Sequence, residues 1–261
     1  MPVITVPTLV GSGAEIKPGM VITDGERAEK RATGSQATCP RTAILDPAVL
    51  RSVPSGLLAG GIVDMISHVL EPYFNSEELF LEIQDNLAEA MLSSLYSVSQ
   101  RLINKKIDDN DFADLMWASP LSFHSIIFLG RGMTRYEVHQ IAHAVSGEFN
   151  IPHGATIAAV LPAWISVKVE NELQFRNKMK RLIRNLFSLE HDGDCGATKL
   201  RSWIEGVGAP TNLSEFGITR NAVGAIMSNI ERTALTLFDS LSRRDVEKIL
   251  QRAISGEYKG D

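Results

Sequence analysis

Residues 57–74, LLAGGIVDMISHVLEPYF, decide how the rest of the chain is read. Apolar side chains recur there at helical spacing, so the stretch predicts an α-helix. Asp64 and His68 stand four positions apart, which on a helix sets the carboxylate and the imidazole on one face, one turn apart. Residues 136–149, YEVHQIAHAVSGEF, repeat the device with His139 and His143. Directly after them, Asn150-Ile151-Pro152-His153-Gly154 places His153 in a tight connection just ahead of another helical stretch.

Working outward, helical periodicity also runs through 80–103 and 111–130, and again at 154–170, 172–188, 196–207, 219–230 and 243–254. Asp46-Pro47 and Ser52-Val53-Pro54 supply start signals, and the Gly206–Pro210 run supplies a stop. Residues 1–45 differ. Val3 to Val6 is β-branched and ends at Pro7, Gly11-Ser12-Gly13 forms a turn, and Met20–Thr23 and Thr42–Leu45 are further short strand candidates. The expected architecture is mainly α: a β-containing segment over 1–46, then a helical domain over 47–261. A sheet that small does not stand alone. The unpaired edge of Val3 to Val6 is therefore expected to drive homo-oligomer formation.

Composition narrows the function. The 261 residues are 44% hydrophobic and 22% charged, an ordinary globular balance. A net charge of −5, with no clustered Lys and Arg, argues against a nucleic-acid partner. No apolar run is long enough to span a bilayer, and the N-terminus lacks a signal-peptide pattern. Cys39 and Cys195 are the only cysteines, so no disulfide framework or cysteine-based zinc site is expected, and a cytoplasmic setting fits.

Three histidines and a carboxylate make a nitrogen–oxygen donor set suited to zinc or ferrous ion, with a position left open. A histidine on a half-apolar helix is more often a packed residue than a ligand. Two i,i+4 pairs with a third histidine close behind leave packing and ligation evenly balanced on spacing alone. H-x-x-x-H without a glutamate beside the first histidine is not the metalloprotease signature. The turn at 11–13 reads equally as a phosphate cradle or as a hairpin connection. His124 and His191 have no partner at useful spacing. Glu71, Tyr73 and Glu137 lie near the ligand segments, where they read either as groups that orient the imidazoles or, more simply, as residues of a solvated helix face.

The stretches PTLVGSGAE (7–15), AILDP (43–47), GGIVDMISHVLEPYF (60–74), LEIQDNLAEAML (81–92), HQIAHAVSGEFNIPHG (139–154) and AAVLPAW (158–164) carry a resemblance to a known family. Together the chain resembles the iron-containing (type III) alcohol dehydrogenases, most of all their butanol dehydrogenase branch. The resemblance implies the helical metal-binding C-terminal domain of the dehydroquinate synthase-like fold. It also implies conversion of an aldehyde and a primary alcohol, using Fe2+ or Zn2+ and NADP or NAD. On matching positions, it implies Asp64, His68, His139 and His153 as metal ligands and His143 beside nicotinamide and substrate. Thr8, Gly11 and Ser12 fall where relatives line the cofactor. Lys30 sits near a lysine that approaches its phosphates, with Arg27 and Arg31 as neighbours of the same charge.

Family members carry a dinucleotide-binding domain with a GGGS-type turn ahead of the PTxxGxGxE segment, and no GGGS occurs in these 261 residues. The chain thus reads as N-terminally truncated, with pyrophosphate recognition impaired. Three expectations remain open: a piece of a working dehydrogenase, a subunit needing a separate cofactor domain, or a non-catalytic metal-binding helical protein. Dehydroquinate or glycerol-1-phosphate synthesis on the same fold is a weaker match to PTLVGSGAE and HQIAH.

Overall fold

The computed structural model describes residues 2–78, 80–187, 196–234 and 236–258. His191 and Cys195 lie outside them. The described residues form mostly helix. Helix α1 (Ser55–Phe74) is buried at every position from Leu58 to Phe74, which makes it the axis of the core. Around it stand α2 (Glu82–Ile103), α3 (Asp109–Ser122), α4 (Glu137–Phe149) and α5 (His153–Asn171). Helices α6 (Leu173–Phe187), α7 (Gly196–Gly206) and α9 (Arg243–Ser255) close over α5, and α8 (Val223–Thr233) covers α4.

The pairing of α1 with α5 sets the geometry of everything that follows. The two helices cross with Gly60 against Gly154, so closely that a Cβ on Gly154 would stand 2.5 Å from the Gly60 carbonyl oxygen. Only glycine permits that approach. The link from α4 to α5 is equally constrained. Asn150 ends α4 in the left-handed conformation (φ 52°, ψ 41°), a cap that asparagine tolerates. Pro152 then precedes α5, whose first residue is His153. Helix α3 opens with a reciprocal cap in which the Asp108 and Asp111 side chains each accept the other's backbone N–H.

The N-terminal segment forms two small sheets. Strand β1 (Ile4–Thr5) pairs in parallel with β4 (Thr42–Ala43), and β2 (Gly19–Asp24) pairs antiparallel with β3 (Glu29–Gly34). Of the two readings of the 11–13 turn, the hairpin connection is not found. The only hairpin among the described residues joins β2 to β3, and Gly11-Ser12-Gly13 packs instead against α3, with the Gly11 N–H donating to Ser119 Oγ at 3.1 Å. Strand β3 lies against α4 and α8, and Val10 joins the helical core. No helix among the described residues is long and apolar enough to cross a membrane.

Candidate metal centre

Asp64 and His68 share one face of α1, and the crossing helices bring His139 from α4 and His153 from α5 to the same point. The His139, His153 and His68 Nε2 atoms lie 3.3, 3.7 and 3.8 Å from Asp64 Oδ1. Donors held about 2.1 Å from one tetrahedral ion stand about 3.4 Å apart, and Asp64, His68 and His139, whose ligand atoms all lie within 4.8 Å of one another, suit a single cation, with His153 at the edge of the group. Asp64, His68 and His139 are buried and His153 is partly exposed. Asp64 Oδ1 and His139 Nε2 have no hydrogen-bond partner despite that burial. Orphaned buried polar atoms cost about 1–3 kcal/mol each. Three imidazoles and one carboxylate facing each other without hydrogen bonds are the donor set of a divalent zinc or ferrous ion.

The charges of Asp64, His68 and His153 agree with that fit. Burial would raise the Asp64 pKa, but the surrounding His68, His139 and His153 outweigh it and hold the carboxyl well below its usual range. Burial pushes His68 down to about 3 and His153 down to about 4, against the pull of Asp64, so both imidazoles are neutral donors. His139 goes the other way. Burial opposes its charge, yet Glu71 and Asp64 raise it to about 9.

Glu71 takes the less favoured of its two sequence readings, orienting an imidazole rather than standing on a solvated helix face. It is wholly buried: Oε1 accepts from His139 Nδ1 and from Ser67 Oγ (3.0 Å), and Oε2 accepts from the Val138 N–H at 2.7 Å. Such an acceptor orients the ring and fixes which nitrogen faces the centre. Glu137 and Tyr73 are also buried rather than solvated. Glu137 Oε2 accepts from Trp164 Nε1 at 2.6 Å, and the Tyr73 hydroxyl donates to Glu89 at 2.6 Å. These two brace helices. His124 is exposed, and its Nδ1 accepts from the Ile126 N–H at 3.2 Å.

His143 stands one turn along α4, its ring 4.9 Å from His153 and 6.2 Å from His139. Burial and the neighbouring cationic groups push its pKa down to about 2. It opens onto a cleft of about 380 Å³ that also takes in Lys30, Gln140, Thr233 and Thr236. Lys30 Nζ donates to Ser146 Oγ at 2.9 Å within α4. Gly11 is buried beside Asp64, whereas Thr8 and Ser12 are exposed and do not line that cleft. Lys17 and Phe123, which no spacing had singled out, also reach the centre: the Phe123 ring meets His68 edge-on at 4.6 Å.

Comparison with known proteins agrees. Residues 58–254 match the C-terminal model of the Fe-containing alcohol dehydrogenase family, and residues 1–47 match the iron-containing alcohol dehydrogenase model. A probable NADH-dependent butanol dehydrogenase of Bacillus subtilis is 28% identical over 97% of this chain and 67% of its own length. The NADPH-dependent aldehyde reductase YqhD of Escherichia coli is 27% identical over 90% of this chain and 61% of its own. The crystal structure of NADH-dependent butanol dehydrogenase A from Thermotoga maritima superposes with a TM-score of 0.88 at 28% identity, covering 97% of this chain and 66% of that one. The chain thus spans about two thirds of the length of these relatives. With most of its residues matched in this way, the chain belongs to the Fe-containing alcohol dehydrogenase family.

Proposed function

We propose that the chain is a metal-dependent, NAD(P)H-linked alcohol dehydrogenase or aldehyde reductase, acting between a small aldehyde and its primary alcohol. One observation carries the reading: three imidazole nitrogens converge on a buried carboxylate oxygen that has no hydrogen-bond partner. The names of the relatives, which are butanol dehydrogenases and an aldehyde reductase, support it.

When bound, the ion polarises a carbonyl as a Lewis acid and the nicotinamide gives or takes hydride. The chain's own residues do the rest. Asp64, His68, His139 and His153 would hold the ion. Glu71 keeps the proton on His139 Nδ1, leaving Nε2 free to ligate. His143 faces the adjoining cleft, where a ring nitrogen relays the proton between the alcohol and solvent. Lys30 lies in that same cleft and offers its ammonium to a cofactor phosphate, in exchange for Ser146. The Phe123 ring, edge-on against His68 and stacked 6.1 Å from Tyr136, walls the centre on another side.

The test loads the purified chain with zinc or ferrous ion and follows NADPH and NADH absorbance with butanal, using His139→Ala as control. Turnover that is lost in the control supports the reading. Stoichiometric metal without turnover returns the chain to the alternative, a metal-binding helical protein or a subunit that needs a separate cofactor domain.

A further inference from the structure

Lys17 has a setting that the reductase reading leaves unused. It follows the 11–13 turn and is only partly exposed. Among the described residues its ammonium has no hydrogen-bond or carboxylate partner; it lies 3.7 Å over the centre of the Phe123 ring. The same ring packs edge-on against His68 at 4.6 Å, so lysine, phenyl and ligand imidazole form one continuous run. Gly13 lets the ring stand there, because a Cβ at that position would come within 2.8 Å of Phe123 Cβ. The charge acts on the centre: it lowers the His68 and His153 pKa values and is itself steadied by Asp64 and Glu15. Burial outweighs that support and pushes the ammonium below its usual range.

A phenyl face only partly repays the desolvation of an ammonium. Three N–H donors remain open, and a carboxylate is the acceptor that matches them best. Asp64 and Glu15 are the carboxylates whose charge it feels, and Glu15 is buried with Oε1 unpartnered, yet neither makes an ion pair with Lys17. The open side of the ammonium is free to take an anion from outside.

We propose that Lys17 selects the substrate: the preferred aldehyde is a short oxo acid, its carbonyl at the Asp64–His68–His139–His153 centre and its carboxylate on the Lys17 ammonium. The assignment rests on the reductase reading and goes beyond it, since butanol and butanal carry no charge. Lys30 stands in the cleft beside His143, away from the Phe123 run, so the two lysines serve different anions.

4-Oxobutanoate and butanal differ only in a carboxylate for a methyl, which makes them a matched pair. In the metal-loaded chain, 4-oxobutanoate is expected to be favoured in kcat/KM by on the order of tenfold, the size of a charge-assisted hydrogen bond. Lys17→Met is expected to remove that ratio through KM, and Lys17→Arg to restore it. A ratio unchanged in Lys17→Met overturns the assignment, as does a rise in the NADPH KM with the aldehyde ratio intact, which would place a cofactor phosphate on Lys17. A calorimetric comparison of succinate with butyrate on the zinc-loaded chain needs no turnover. The same tenfold preference, lost in Lys17→Met, supports the assignment; an equal succinate preference in both proteins overturns it. Wild-type protein that reduces neither aldehyde counts against the reductase reading alone, and the calorimetry then decides Lys17.

Discussion

Glu71 accepts the Nδ1 proton of His139, the imidazole whose Nε2 stands 3.3 Å from Asp64 Oδ1. Both acids come from α1, so His139 is gripped from two levels of a single helix. Substituting Glu71→Gln keeps one acceptor oxygen but removes the charge that steadies the ring. Zinc affinity, read by competition with a chromophoric chelator, is expected to fall about 10–100-fold with helical content preserved. Unchanged affinity would mean that the ring is oriented by packing alone.

The Gly60–Gly154 crossing calls for a backbone test. Gly154→Ala places a methyl against the Gly60 carbonyl and is expected to cost about 1–3 kcal/mol in urea unfolding, as overpacking does. His153 is the next residue, so zinc affinity should fall with it. Gly56→Ala is the control. It lies in the first turn of α1 with nothing within 4 Å of its Cβ, and should be neutral or slightly stabilising.

A second charged cluster governs alkaline stability. Lys178 is buried against Asp85 at 2.9 Å and over the Tyr73 ring at 4.2 Å. Burial pushes it from an ordinary 10.5 down to about 8, in spite of Asp85. Between those two values the unfolded chain holds more protons than the folded one, so this residue's contribution to stability rises with pH and is flat below 8. Denaturation of wild type and Lys178→Met at pH 7.5 and pH 10 should show wild type gaining on the variant by on the order of 1–3 kcal/mol. A constant difference would contradict the shift.

The β1–β4 pair leaves apolar side chains in solvent, with Ile4 64%, Val6 53% and Ile44 53% exposed. Two strands alone are a weak sheet, and open edges recruit further strands. The purified chain is expected to self-associate, and Ile4→Lys to reduce that tendency. A monomeric light-scattering mass for wild type across the micromolar range would rule this out.

Much of this was legible in residue spacing. Helices α1, α4 and α5 follow from apolar periodicity, and the left-handed Asn150 ahead of Pro152 explains how His139 and His153 meet. Glu71 was within reach as an orienting group: Asp64, His68 and Glu71 follow the i, i+4, i+7 rule that puts three residues on one helix face, and only the usual preference of glutamate for water favoured the solvated reading. Strand β3 was not. Its sequence EKRATG is mostly exposed, and its pairing partner, not its own pattern, makes it a strand. Lys17 and Phe123 belong to segments more than a hundred positions apart. Nothing local joins them; α3 packing on the 11–13 turn does.

The contact between Gly60 and Gly154 has a mechanical meaning as well. Where two helices touch backbone to backbone, there is no side chain between them to rotate or be exchanged for a smaller one. The distance from Asp64 to His153 is then set by rigid peptide units, as a hinge pin sets the gap between two plates. Drift in the surrounding core, such as Ile62 to valine or Leu161 to methionine, is absorbed elsewhere, and the donor atoms keep their separation.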